Sequence, residues 1–318
     1  MNLSPVIPFE PISVPSFPQG DNWIAQIKWD GVRMLIYFDG RETRLINRRL
    51  NDRTAQYPEF GDPSTYCASS SFILDGEMIA FDENKPSFHE VMRRDGVRKE
   101  TNIRIAISQV PVTYMIFDVL YADGIWLTNE PLGERQKRLS DMIVPCERVQ
   151  VCQNFADAPK LFELMKAHRM EGIVCKSLDS AYSIGKKDNR WQKIKITRDL
   201  IAAVGGVTYN GKLVNSLLLG LYDEEGKWHY IGNAGTGKMS QEEWRRLTDR
   251  IPSIASVDMP FSHKPDKHKD AVWVIPTIVA KVSFLEWTPG GTMRQPSIQA
   301  LLPPTSLSEC SLKQIDER

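Results

Sequence analysis

The chain presents short segments rich in β-branched and aromatic residues that are not separated by regularly spaced helical patterns. A doubly wound parallel sheet needs a helix after nearly every strand, so this order favours an α+β fold with mainly antiparallel sheets. Strands are expected over 23–28, 33–38, 72–81, 112–120, 172–176 and 191–196, each with turn residues nearby. A helix is expected over 157–170, where Asp157 can cap, Pro159 sits in the first turn, and Leu161, Leu164 and Met165 recur at helical spacing. Residues 1–20 carry five prolines and read as an extended lead-in over a domain surface.

After Ile196 the pattern changes. Strand candidates crowd residues 200–300, interrupted by one helix that opens at Ser240-Gln-Glu-Glu243, a capping-box sequence with Trp244 and Leu247 on one face. Several short strands with one inserted helix fit a small barrel such as an OB-fold. A chain of 318 residues is long enough for two cores. The expected division is 1–197 for the first domain, 198–302 for the barrel and 303–318 for a polar tail.

Composition sets limits rather than an answer. Lys plus Arg equals Asp plus Glu at 40 each, whereas a chain that coats nucleic acid indiscriminately is usually strongly basic. Basic groups are therefore expected to be concentrated at one site. Five scattered cysteines (Cys67, Cys146, Cys152, Cys175, Cys310) form no C-x-x-C pair, which favours a reducing cytosol over a disulfide frame or a cysteine-rich zinc site. No run of about 18 apolar residues predicts a membrane span, and Met1-Asn2-Leu3-Ser4-Pro5 lacks the regions of a secretory signal.

The sharpest local signal is Lys28-Trp29-Asp30-Gly31-Val32-Arg33. At ordinary residue frequencies a chance K-x-D-G-x-R in such a chain has a probability on the order of a few per thousand. A lysine is a covalent nucleophile only after losing its proton, and its free pKa of about 10.4 makes that rare at neutral pH. Neighbouring cations or a metal must therefore lie close by. A solvated lysine in a turn fits the same six residues equally well.

Further segments shift that balance. Phe72-Ile-Leu-Asp75-Gly76-Glu77 places two acids inside an apolar strand, where acids persist only beside a polar cleft or a cation. Tyr114-Met-Ile-Phe117-Asp118 repeats the grammar, with Phe117 as a stacking face and Asp118 as another awkward acid. Glu171-Gly-Ile-Val-Cys-Lys176 puts an acid before a strand and a lysine at its end. In Arg190-Trp-Gln-Lys193-Ile-Lys195 the two lysines share a strand face, a double charge suited to phosphate. One nucleophile, acids able to hold Mg²⁺, an aromatic plate and two phosphate lysines are the parts nucleotidyl transfer needs.

In this order the motifs resemble the covalent nucleotidyltransferases: DNA ligases, RNA ligases and messenger-RNA capping enzymes. The resemblance covers residues 22–300 and implies an adenylation domain followed by an OB-fold. It implies that Lys28 attacks the α-phosphate of ATP and becomes the AMP phosphoramidate. Arg33 and Glu77 would hold the ribose, Phe117 would stack on the purine, and Val174 would close the opposite face. Lys193 and Lys195 would grip the α-phosphate, and Glu171, with Glu77, would bind Mg²⁺ (or Mn²⁺). Gln26 stands where related ligases often have a Glu reading the adenine amino group, and a Gln carbonyl accepts from the same donor. Arg48, in Asn47-Arg48-Arg49-Leu50, resembles the phosphate-binding arginine of a second motif, although Asn replaces Ser and Leu replaces Gly.

The run from Phe284 to Ser297, with Trp287-Thr-Pro-Gly-Gly-Thr-Met-Arg294, resembles the barrel end of small bacterial DNA ligases, including modules linked to end-joining. The implied reaction seals 3′-hydroxyl/5′-phosphate nicks in double-stranded DNA by a monomer, in repair, recombination or replication. The family's Arg-x-Asp-Lys element is missing, because the aligned stretch reads Leu302-Pro303-Pro304-Thr305. Few residues precede Lys28, so the extra N-terminal domain of large ligases is not expected, and a hinge is expected near 196–199. Arg93, Arg94, Arg98 and Lys99 form a charge run that lies along a duplex backbone or in a solvated loop. An RNA ligase, a GTP-using capping enzyme, or a non-catalytic OB-fold binder are the rival readings.

Overall fold

Two units divide the chain, Met1–Ile196 and Thr197–Arg318. The structure is a computed structural model that describes residues 3–316 apart from 84, 236, 266 and 267. No helix among the described residues is long and apolar enough to cross a membrane.

The first unit contains β1 (Glu10–Ser13), β2 (Trp23–Ile27), β3 (Val32–Phe38), β4 (Thr43–Asn47), β5 (Phe72–Asp82), β6 (Lys85–Pro86), β7 (Val112–Ala122), β8 (Ile125–Trp126), β9 (Val149–Val151), β10 (Gly172–Ser177) and β11 (Lys187–Lys195). Its helices are α1 (Phe88–Asp95), α2 (Glu100–Gln109), α3 (Leu132–Met142) and α4 (Ala158–Ala167). One sheet runs β1-β11-β10-β2, and the other runs β4-β3-β5-β7-β8 with β6 and β9 at its margins. Antiparallel pairing dominates, and only β1–β11 and β7–β9 pair in parallel among the described strands. The chain is α+β.

Side-chain alternation fixes what each sheet face carries. Ala25 and Ile27 of β2, Ile173 and Cys175 of β10 and Ile194 of β11 pack with Leu161 and Met165 of α4. That buries one face of the smaller sheet. Its other face therefore carries Gln26, Val174, Lys176, Trp191 and Lys193. This face meets Leu35, Tyr37, Ile73, Leu120 and Tyr121 of the larger sheet through Phe9, Tyr182 and Trp191. On the far side of the larger sheet, Met34, Ile36, Leu74 and Tyr114 belong to the main core, together with Leu139 of α3.

The lead-in is more than a surface segment. Phe9 is fully buried and Leu3 nearly so, because the Phe9 ring packs 5.1 Å from Trp191 and 6.0 Å from Tyr182. Residues 10–13 then pair with β11. Prolines in this run are tolerated because the strand lies at a sheet edge.

The second unit contains β12 (Arg198–Asn210), β13 (Leu213–Tyr222), β14 (Trp228–Ala234), α5 (Gln241–Arg250), β15 (Ala255–Ser256), β16 (Val272–Val274), β17 (Val279–Phe284) and β18 (Ser297–Leu302). Strand β12 pairs with β17 from Arg198 to Ala203 and with β16 at Gly206 and Val207. One long strand serving successive partners curves the sheet into the OB-type barrel. The Ser240 capping box forms, with its hydroxyl accepting from Glu243 N–H while the Glu243 carboxylate receives Ser240 N–H.

The run after Leu302, read from sequence as a polar tail, packs on this barrel. Cys310 is fully buried, Tyr222 N–H donates to Cys310 O at 2.9 Å, and Leu312 N–H donates to Tyr222 O at 2.9 Å. Its apolar residues are few but spaced to reach the barrel core, and Leu307, Leu312 and Ile315 do so.

Candidate active site

Lys28 lies one residue beyond β2, and its N–H donates to Gly172 O at 3.0 Å. That bond carries the register of the smaller sheet to its rim. Side by side across the strands stand Gln26, Val174 and Lys193, and then Ile24, Lys176 and Trp191. Two glycines make the rim possible. A Cβ on Gly31 would lie 2.1 Å from Met78 O, so only glycine lets the turn after Lys28 cross β5 this closely. Gly172 has φ +139° and a Cβ there would lie 2.1 Å from Ile194 O.

Glu171 is turned inward at this rim. Its Oε2 accepts from Lys28 Nζ at 2.5 Å and its Oε1 lies 3.2 Å from Lys195 Nζ, with the carboxylate side chain 7% exposed. One acid thus joins two of the lysines picked from sequence. Lys193 is half-buried, and burial lowers its pKa, helped by the charges of Lys195, Lys187 and Lys28 and opposed by Glu10.

Arg33 and Glu77 stand opposite each other in the β3–β5 register. Arg33 is committed to a neighbour, with Nε and Nη2 donating to the two oxygens of Asp75 at 3.0 and 2.6 Å. Burial works against this guanidinium charge, but Asp75, Tyr182 and Glu77 together outweigh it and the pKa is raised. Tyr182 Oη also donates to Asp75 at 2.7 Å and accepts from Phe9 N–H. Glu77 responds the other way. Burial pushes its carboxyl up to about 7, against the fields of Lys28 and Arg33 and with Asp75 and Glu171 adding to the rise.

Phe117 is flanked by cations. The Arg33 guanidinium lies 5.2 Å and the Lys176 ammonium 4.3 Å from its ring centroid, while Trp191 meets it edge-on at 6.1 Å. Lys176 is 2% exposed and lies 4.1 Å from the Trp191 centroid, a desolvated cation–π arrangement. Burial brings its pKa down to about 8.

Gln26, also 2% exposed, donates to Asn154 Oδ1 at 2.7 Å. Arg48 is the outlying member of the predicted set. It sits after β4 with its side chain 55% exposed and its Nη1 3.5 Å from Glu10, the acid whose field reaches Lys193.

Asp118, the awkward acid beside Phe117, is fully buried in a bidentate pair with Arg135 at 2.8 Å, so its charge is matched within the fold. One sequence expectation needs correction: the charge run is not one basic strip. Arg94 is fully buried against Glu59 at 3.0 Å and 5.2 Å from the Tyr57 ring centroid, Arg93 pairs with Glu90, and Arg98 donates to backbone carbonyls of Asp95 and Val97. Helix α1 turns successive arginines to different environments.

Lys176, Trp191 and Asp75 were visible in the motifs but not selected. Period-two alternation from Lys193 and Val174 was the signal that could have placed Lys176 and Trp191 on the same face. Asn154 and Gln136 carried no local signal. Among the described residues no group of three or more His, Cys, Asp or Glu forms a metal cage.

Two family models match this chain. The model of the ATP dependent DNA ligase domain matches residues 13–195, and that of the ATP dependent DNA ligase C terminal region matches 210–303. The chain belongs to the ATP-dependent DNA ligase family. It is 28% identical over 288 residues to the multifunctional non-homologous end joining protein LigD of Mycolicibacterium smegmatis, covering 88% of this chain and 36% of that protein. It is 31% identical over 276 residues to a DNA ligase of Thermococcus onnurineus, covering 82% of this chain and 47% of that one. The ligase domain of M. tuberculosis LigD superposes with a TM-score of 0.53 at 27% identity, over 96% of this chain and 97% of that chain. This ligase-family chain therefore spans about a third of the length of its LigD relatives.

Proposed function

We propose that this protein seals nicks in double-stranded DNA, using ATP to form a covalent adenylate on Lys28. The carrying observation is the Glu171 carboxylate between Lys28 at 2.5 Å and Lys195 at 3.2 Å, with Lys193 on the adjoining strand position. The amine of Lys28 attacks the α-phosphorus, a P–N bond forms, and the bond to pyrophosphate breaks. Glu171 is in hydrogen-bond reach to take the proton the amine sheds. The 5′-phosphate of a nick then displaces Lys28 from AMP. Finally the 3′-hydroxyl attacks that 5′-phosphorus and AMP leaves.

Arg33, held by Asp75, and Glu77 would bind the ribose, Phe117 and Val174 the two faces of the base, Gln26 its edge, and Lys193 and Lys195 the α-phosphate. Arg48 would meet a phosphate at the margin of the site. Mg²⁺ or Mn²⁺ fits beside Glu77 and Glu171, because such an ion takes one or two carboxylates and completes its shell with phosphate and water. Once bound it would neutralise charge on the phosphoryl oxygens. The protein would act as a monomer in the cytosol, a setting its five free cysteines suit. Its LigD likeness favours repair by end joining over the other roles.

Radiolabelled ATP should give an acid-labile adduct on the wild-type protein and none on Lys28→Ala, and a nicked duplex should be sealed only by the former. Labelling by GTP alone, or sealing by the Lys28 variant, would overturn this reading.

A further inference from the structure

A chain of three carboxamides runs from the back of the aromatic plate to the predicted base-reading residue. Gln136 Nε2 on α3 donates to the backbone carbonyl of Phe117 at 2.8 Å. Asn154 Nδ2 donates to Gln136 Oε1 at 3.0 Å, and Gln26 Nε2 donates to Asn154 Oδ1 at 2.7 Å and to Gln136 Oε1 at 3.5 Å. Carboxamides are ordinarily free to swap their oxygen and nitrogen ends. Here one end of the chain is a backbone carbonyl, which only accepts. Gln136 must therefore turn its NH₂ to Phe117, leaving its oxygen for Asn154. That choice turns the Asn154 oxygen toward Gln26, so Gln26 must answer with its NH₂. Both Gln26 N–H groups are committed, and among the described residues nothing donates to its Oε1.

We infer that Gln136 and Asn154 are specificity-determining positioning residues: they lock Gln26 with its carbonyl oxygen as the only group offered to a purine edge. A 6-amino group donates to that oxygen, whereas a 6-oxo group meets it acceptor to acceptor. The lock thus selects adenine over guanine and hypoxanthine without a charged reader. The inference rests on the proposed use of ATP at Lys28. Neither Gln136 nor Asn154 lies at the lysine rim, so both act through Gln26. With Asn154 replaced by alanine, Gln26 gains the freedom to turn its NH₂ outward and donate to a 6-oxo purine.

The test measures the rate of Lys28 adduct formation against concentration of ATP, GTP, ITP and the triphosphate of unsubstituted purine riboside. Wild-type protein should rank them ATP, then the unsubstituted purine, then ITP and GTP, because losing a donor costs less than opposing two acceptors. Asn154→Ala should cut the ATP-to-GTP ratio of kcat/KM by about tenfold, one hydrogen bond's worth of discrimination. The double variant Gln26→Glu/Asn154→Ala should regain the adenine preference, since a carboxylate only accepts whichever way it turns. A merely structural role for Asn154 would lower all four rates together and would not be rescued by Glu. An unchanged ATP-to-GTP ratio in Asn154→Ala, or a wild-type enzyme that takes ITP as well as the unsubstituted purine, overturns the lock while leaving covalent adenylation intact. Absence of any adduct with any nucleotide would instead remove the reading on which it stands. The wild-type ranking needs no variant, so the inference remains testable if Asn154→Ala fails to fold.

Discussion

Glu171 holds the Lys28 ammonium at 2.5 Å while its second oxygen lies 3.2 Å from Lys195. A carboxylate so placed is the nearest base for the proton the amine sheds when it attacks. Glu171→Gln preserves the shape and removes that basicity. Adduct formation should slow by at least about 100-fold, the lower range for a lost acid–base group, with kcat falling more than KM for ATP changes. Single-turnover labelling reads this directly, and a rate within threefold of wild type would exclude a proton-transfer role.

Asp75 is fully buried and receives Arg33 through two donors and Tyr182 through a third. Asp75→Asn leaves a buried guanidinium without its counter-charge. Breaking a buried pair in this way costs about 3–5 kcal/mol, to be read from urea or thermal unfolding. Arg33→Lys should also weaken ATP binding, because a lysine cannot reproduce the two-pronged contact.

Lys176 carries a charge between two aromatic rings, and burial lowers its pKa from 10.5 to about 8. Between those values the unfolded chain holds the proton and the folded chain does not. Stability therefore rises with pH across the interval from about 8 to 10.5, and the cost of the buried charge is fully present below 8. Lys176→Met should remove this dependence. The difference in melting temperature between the two proteins should change steadily from pH 7.5 to 10, the wild type gaining relative to the variant as pH rises. Parallel pH profiles for the two proteins would show that Lys176 does not titrate in this window.

Arg93 and Arg94 are neighbours in sequence with opposite expected sensitivities. Arg94→Ala strands the nearly buried Glu59 carboxylate and should destabilise the fold by about 3–5 kcal/mol. Arg93, half-exposed and paired with Glu90 on its own helix, should tolerate alanine within about 0.5 kcal/mol. Equal unfolding midpoints for the two variants would contradict this assignment.

The α+β class, the main strands and the identity of the lysine rim were legible because they depend on short-range rules. Alternation puts Lys193 on one face of its strand with Trp191 and Lys195, and Val174 on one face with Lys176, whatever else the chain does; the pairing register then brings Gln26, Val174 and Lys193 side by side. The K-x-D-G-x-R motif is likewise a local spacing, although the reason for its glycine, the close approach of Met78 O, is tertiary. Partner choice was not local. Asp75 takes Arg33, Asp118 takes Arg135 and Glu171 takes both Lys28 and Lys195 because burial makes an unmatched charge costly, and only the packed sheets decide which opposite charge is within reach. The carboxamide relay joins positions 26, 117 and 136 of β2, β7 and α3 with position 154 in the loop before α4, so no spacing rule could reveal it. The sequence by itself determined which chemical groups line one face. Tertiary structure decided which of them are already spent on one another and which remain to meet a substrate.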